Sequence, residues 1–185
     1  MKKGLLILVI ILLASSQLFS QKGYRISDLS AGNFVFQNRK VHFEKTYPNT
    51  ISMAVLEQKL KSLNDPTSGM QVKSQRDDGL NGVMIRYQLD WTTAGFRNWK
   101  IPKFLRYPIN ANFEVVRDNM SYRVRVTDIW FTNLQNPGSQ QHLALENMVV
   151  KPNKLGFSKK KKAMRALYIL DMNLEEMFSG NTQRW

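Results

Sequence analysis

Between Ile109 and Phe131 the chain reads INANFEVVRDNMSYRVRVTDIWF, and its alternation leaves little choice of structure. Apolar residues recur at every second position on both sides of Asp118-Asn119, the period of a strand with one buried face. A two-residue turn is expected there, because Asp and Asn both tolerate the positive φ of a primed turn. That turn sets Val115 opposite Tyr122, Phe113 opposite Val124 and Ala111 opposite Val126, all on one side. On the other side Glu114 meets Arg123 and Asn112 meets Arg125. A slip of one residue would exchange the faces and bury the charges. An isolated hairpin is marginal in water, so the rest of the chain must supply more strands and a layer to cover the apolar side.

Upstream, residues 21–39 read as an arm leading in, with Asn33–Phe36 a short strand inside it. Lys40–Thr46 alternates, with Val41 and Phe43 on one face and Lys40, His42 and Glu44 on the other. From Ile51 the period changes: Met53, Leu56, Leu60 and Leu63 fall on one helix face, and Asn64-Asp65-Pro66 ends it. Gly69–Gln75 and Gly82–Asp90 read as strands about a turn at Arg76–Gly79. In the second, Val83, Ile85, Tyr87 and Leu89 are expected to face the core, and Met84, Arg86, Gln88 and Asp90 the solvent. Asn133–Gln141 is loop by composition, and 142–150 fits a short helix or a short strand equally. A last helix from Ser158 carries the stripe Ala163, Ala166, Leu167, Leu170, Leu174, Met177 and Phe178, with Gly180 as its stop. Strands and segregated helices in this order predict a two-layer α+β domain over 40–180, an antiparallel sheet with helices on one face, and a short tail at 181–185.

The first residues bear on location. Lys2 and Lys3 precede an apolar run from Gly4 to Ala14, and a small residue, Ser20, precedes polar Gln21. This is the pattern of a secretory signal, with cleavage expected near Ser20/Gln21, and the run is too short to span a membrane. Export to the periplasm or beyond is the expectation, with no further transmembrane segment in the mature chain. Removing 1–20 leaves 165 residues and lowers the net charge from +13 to +11. The chain has no cysteine. It therefore folds without disulfides and has no thiol chemistry and no thiolate metal site.

Three stretches, VHFEKTYPNTISMAVLEQKLKSL, GVMIRYQL and FEVVRDNMSYRVRVTDI, together resemble an uncharacterised family of small exported bacterial domains of unknown function. That family is described as having a TATA-box-binding-protein-like (TBP-like) fold. The resemblance covers residues 40–131, most tellingly the strand, tight turn and Tyr-Arg-x-Arg strand of Phe113–Ile129. It departs from the family at Asp118-Asn119, where Asp-Gly is expected, and in a long aromatic connection from Trp91 to Tyr107. The resemblance implies the fold and no catalytic residue. The fold's name implies no DNA binding, since function lives in sites.

The motifs that carry chemistry are sparse. His42 and His142 lie a hundred residues apart, without the companions a zinc site needs. His42 is expected on a solvated strand face. Asp77-Asp78-Gly79 with Asn81 lacks the spacing and closing glutamate of a calcium loop. Asp90, Glu114 and Asp128 are the strand acids that a carboxylate hydrolase would use, and Glu114 is already accounted for by a cross-strand arginine. No catalytic, cofactor or metal site is predicted.

Two basic stretches remain as candidates for a partner. In FRNWKIPKFLRYP, Arg97, Lys100, Lys103 and Arg106 recur every three residues, with Trp99 and Phe104 between them. The first reading is a strand-to-strand connection whose aromatics tuck against the core while its cations face water. The second is a surface that stacks on bases or sugars and pairs with phosphates, or lies on an anionic membrane. Lys159, Lys160, Lys161 and Lys162 open the last helix, where cations oppose the helix dipole. A solvated run is the plainer reading there and a bound anion the sharper one. The expectation is a non-enzymatic envelope module that meets a protein or an anionic surface polymer or lipid, with DNA not expected. The alternative is a hydrolase with carboxylates and arginines in a cleft.

Overall fold

A computed structural model describes residues 27–48, 51–64, 69–76, 78–90, 95–133, 141–153 and 155–179. The apolar run, the cleavage region, Gly180 and the tail lie outside them. The strands are β1 (Ser30–Ala31), β2 (Phe34–Gln37), β3 (Lys40–Pro48), β4 (Gly69–Arg76), β5 (Gly79–Tyr87), β6 (Ile109–Arg117), β7 (Ser121–Asn133) and β8 (Gln141–Ala144). Among the described residues these eight make one antiparallel sheet in the order β1-β2-β3-β7-β6-β5-β4, with β8 beside β7. The helices are α1 (Met53–Ser62), α2 (Leu145–Val149) and α3 (Lys161–Phe178). The two-layer α+β class is the one expected. The sheet is larger than the sequence pattern promised, because the stretch read as an arm supplies β1 and β2, with β2 paired to β3 and β1 to β2. Residues 142–150 hold both a strand and a helix.

The central hairpin keeps its faces and changes its register. Ala111, Phe113, Val115, Tyr122, Val124 and Val126 are all buried together. But Val115 pairs with Val124, Phe113 with Val126 and Glu114 with Arg125, two residues beyond the expected partners. The Asp118 N–H donates to Ser121 O at 2.8 Å, so the tip is Asn119-Met120. Neither Asp118 nor Asn119 takes positive φ; the Asp118 carboxylate instead accepts from the Asn119 N–H at 2.8 Å. The two-residue turn with positive φ sits between β2 and β3, at Asn38 (52°) and Arg39 (63°).

A second correction concerns β5. Leu80, Gly82 and Met84 face the core, while Val83 and Ile85 are only half-buried on the open side. Arg86 has φ 47° and stands as an extra residue, after which Tyr87 pairs with Ile109 and returns to the core side with Leu89. Asp128, at φ 50°, does the same on β7, so that Ile129 and Phe131 rejoin the core. Asn110 lies between the two bulges. It accepts from the N–H of bulged Arg86 at 3.0 Å, a donor that the bulge takes out of the ladder, and donates to Thr132 Oγ1 at 3.1 Å.

His42 is also misplaced by the alternation: it is 7% exposed. Its strand is not an edge, since β2 lies on one side and β7 on the other, and Val35 pairs with it. Burial lowers its pKa, Arg125 lowers it further and Glu44, at 3.7 Å, opposes them.

The helices cover the other face. The α3 stripe from Ala163 to Phe178 is buried as expected, as are Met53, Leu56 and Leu60 of α1. Ser52 caps α1 by accepting from Val55 N. Specific polar contacts fix α3 in place. Asp171 accepts from Asn33 N (3.1 Å) and Asn33 Nδ2 (2.6 Å), and Glu175 pairs with Lys45. At the C-terminal end, Lys59 Nζ donates to Glu176 O and Ser179 O, and Tyr122 Oη donates to Phe178 O at 2.7 Å. Among the described residues, Tyr47 Oη is buried with no hydrogen-bond partner. Burial raises its pKa, and the phenol stays neutral.

Candidate anion-binding surface

Arg97–Arg106 is built as two short 3-10 turns, Asn98–Lys100 and Lys103–Arg106, set apart by Ile101-Pro102. Proline at 102 and 108 rules out one continuous helix. Ile101, Pro102, Phe104 and Leu105 are buried and anchor the segment to the domain. Phe104, expected as a surface aromatic, is 5% exposed and stands edge-on to Phe131 at 5.1 Å. It cannot stack on a partner. Arg106 reaches back along its own segment, with Nη2 donating to Asn98 O at 2.6 Å. These features match the plainer reading of a packed connection.

Trp99 does not follow them. It is 74% exposed, and the Lys100 ammonium lies 5.1 Å from its ring centroid. Arg97 and Lys103 are exposed, and Lys100 is half-buried.

Lys159, Lys160, Lys161 and Lys162 are exposed as well. The helix begins only at Lys161, with Lys160 at the N-cap and no side-chain cap. No acid occupies its first turn to answer the dipole. Lys159 also acts on Asp28, whose carboxyl is held below the usual range chiefly by its hydrogen bond to Lys151 and that lysine's charge, with Lys159 adding to them.

A residue that sequence reasoning passed over ties the connection to the helix that the lysine run opens. Arg165, one turn after Lys161, donates from Nη1 to Lys100 O at 2.6 Å. Its guanidinium lies 5.3 Å from the Phe96 ring centroid, and Phe96 stands edge-on to Tyr168 at 5.9 Å. The connection therefore packs along the first turns of α3. No Asp or Glu occurs between Asp90 and Glu114, or between Glu146 and Asp171. Those two windows without acids were the sequence signal for each stretch, and in space Asp28 lies near Lys159.

The strand acids go elsewhere. Asp128 accepts from Lys40 Nζ (3.4 Å) and Asn112 Nδ2 (3.2 Å), and Glu114 is exposed opposite Arg125. Glu44 pairs with Arg125 at 3.4 Å. Among the described residues no three His, Asp or Glu side chains gather as a metal site would require. A cavity of about 270 Å³ opens beside α2, lined by Phe36, Arg39, Glu146, Val150 and Lys151. Two of its charges are already engaged: Glu146 accepts from Val41 N at 2.9 Å, and Lys151 pairs with Asp28 at 2.7 Å.

No protein-family model matches the chain, and no curated protein matches it. Among solved structures it is similar to a DUF4468 family protein, a domain of unknown function, from Bacteroides ovatus ATCC 8483. The TM-score is 0.50 and the identity 16%, over 83% of this chain and 95% of that one. It is also similar to a TBP-like protein from Parabacteroides distasonis ATCC 8503, at TM-score 0.48 and 13% identity over 77% and 92% of the two chains. At these identities the likeness concerns the fold alone. The resemblance seen in the sequence, to an uncharacterised bacterial domain of unknown function, thus has a counterpart in fold in the first of these structures.

Proposed function

We propose that the protein is an exported binding module of the cell envelope, without catalytic activity of its own, that holds an anionic partner on the surface shared by the connection and the start of α3. The observation that carries this reading is the Arg165–Lys100 contact, which sets the basic connection against the helix that the four lysines open. Such a face raises the local concentration of anions and speeds their encounter. Its cations stand in water, so the attraction weakens with salt.

The test is a titration of residues 21–185 against anionic envelope glycolipid and acidic polysaccharide at several ionic strengths. A variant with Lys159, Lys160, Lys161 and Lys162 changed to alanine runs beside it. At about 1 kcal/mol per cation near an anionic surface, the variant loses on the order of a hundredfold or more in affinity at low salt. Binding that ignores both salt and the four lysines overturns the proposal.

A further inference from the structure

A basic face serves a soluble polyphosphate and a lipid surface equally, and an exposed indole adds affinity only where the partner offers it apolar surface; Trp99 favours the lipid. Large apolar side chains at the surface of a packed connection are normally withdrawn, as Ile101, Phe104 and Leu105 are here. Trp99 remains 74% exposed on a turn held rigid by the Arg165 and Arg106 bonds to the Lys100 and Asn98 carbonyls. Cations flank it at Arg97, Lys100 and Lys103, and the acid-free window around it places no carboxylate nearby in sequence. A protruding indole with one cation over its ring and two more close by in sequence matches the interface of a bilayer, where tryptophan settles at headgroup level and Lys or Arg meet lipid phosphates. Lys100, drawn over the ring at 5.1 Å, leaves the outer edge of the indole free to enter the interface.

We infer that this surface docks on an anionic lipid bilayer, with Trp99 entering the headgroup region while Arg97, Lys100, Lys103 and the lysines at the start of α3 contact phosphates. This rests on the proposed anion-binding surface and adds the partner.

The experiment uses residues 21–185, which contain every described element; residues 1–20 are omitted because their apolar run would itself enter lipid. Wild type, Trp99→Ala, Trp99→Phe and Lys161→Ala/Lys162→Ala are sedimented with vesicles of phosphatidylglycerol and phosphatidylethanolamine. They are also titrated with soluble polyphosphate. Trp99→Ala is expected to weaken vesicle binding by about tenfold and to leave polyphosphate binding unchanged, while the lysine variant weakens both. Because the chain has four tryptophans, the Trp99 emission is read as wild type minus Trp99→Phe. It is expected to shift to the blue on vesicles and to be quenched by brominated lipid. Vesicle binding that depends on the lysines but not on Trp99, with no blue shift, refutes the bilayer inference and leaves a general anion binder. Binding to neither probe refutes both readings.

Discussion

Replacing Lys59 by methionine tests how the helix layer is held. Lys59 is 8% exposed, on the face of α1 that meets the C-terminal end of α3. Its ammonium donates to Glu176 O at 2.8 Å and Ser179 O at 2.7 Å, two carbonyls that the end of a helix leaves without partners. Methionine keeps the apolar stem and removes the charge and both bonds. Glu176 O retains a donor, since Ser179 Oγ reaches it at 3.2 Å, so the main loss falls on Ser179 O. One charged hydrogen bond lost outright and one weakened come to about 3 kcal/mol. Burial works the other way: it disfavours the ammonium and lowers its pKa, with Glu176 opposing. The expected net loss is therefore about 2 kcal/mol. Urea denaturation at neutral pH measures it, with an unchanged slope showing that both states keep their compactness. Tyr122→Phe removes the neighbouring donor to Phe178 O. Since both donors serve one helix end, the double variant should depart from additivity. A Lys59→Met protein as stable as wild type, or more so, would show that the buried charge is a net burden and refute the reasoning.

Two further outcomes follow from the same structure. Gly82 lies in β5 against the Gln71 carbonyl and under the Phe113 ring, so the Cβ of Gly82→Ala would strike both. The backbone oxygen cannot yield, and a loss of about 3 kcal/mol is expected in thermal or urea unfolding. His42 binds its proton less readily folded than unfolded, its pKa lying below 6.5. As pH falls through that value the unfolded chain takes up the proton first, so stability declines until the folded pKa is passed and then levels. In His42→Gln this part of the decline is absent, as urea midpoints at about pH 7.5 and pH 5.5 would show; equal pH slopes in both proteins would refute the assignment.

What could be read from the residues divides along a physical line. Periodicity of two reports which side a residue faces, so the six core positions of the central hairpin were legible. It is silent to a slip of two, which keeps every face, and the tip at Asn119-Met120 carries no glycine to fix the register. Single-residue bulges break the same logic. Arg86 and Asp128 are bulged without being glycine, and an uninterrupted alternation through Val83, Ile85 and Tyr87 took the wrong phase on β5. His42 was misjudged because strand edges depend on pairing, and the short strands from Ser30 onward have too few residues to show a period. The basic stretches were visible individually. Their union was not, because it depends on Arg165 touching a backbone carbonyl 65 residues away. Phe104 and Trp99 had equal standing in sequence, and only packing separated the core anchor from the exposed ring.

The most direct measurement asks whether the two basic stretches act as one surface. The affinity of residues 21–185 for an anionic probe, phosphatidylglycerol vesicles or polyphosphate, is compared across four forms: wild type, Arg97→Ala/Lys103→Ala, Lys161→Ala/Lys162→Ala, and the combination. The account predicts that each pair lowers affinity by about tenfold at low salt, that the combination loses roughly the product, and that the salt dependence shrinks at each step. Indifference of binding to either pair would contradict it.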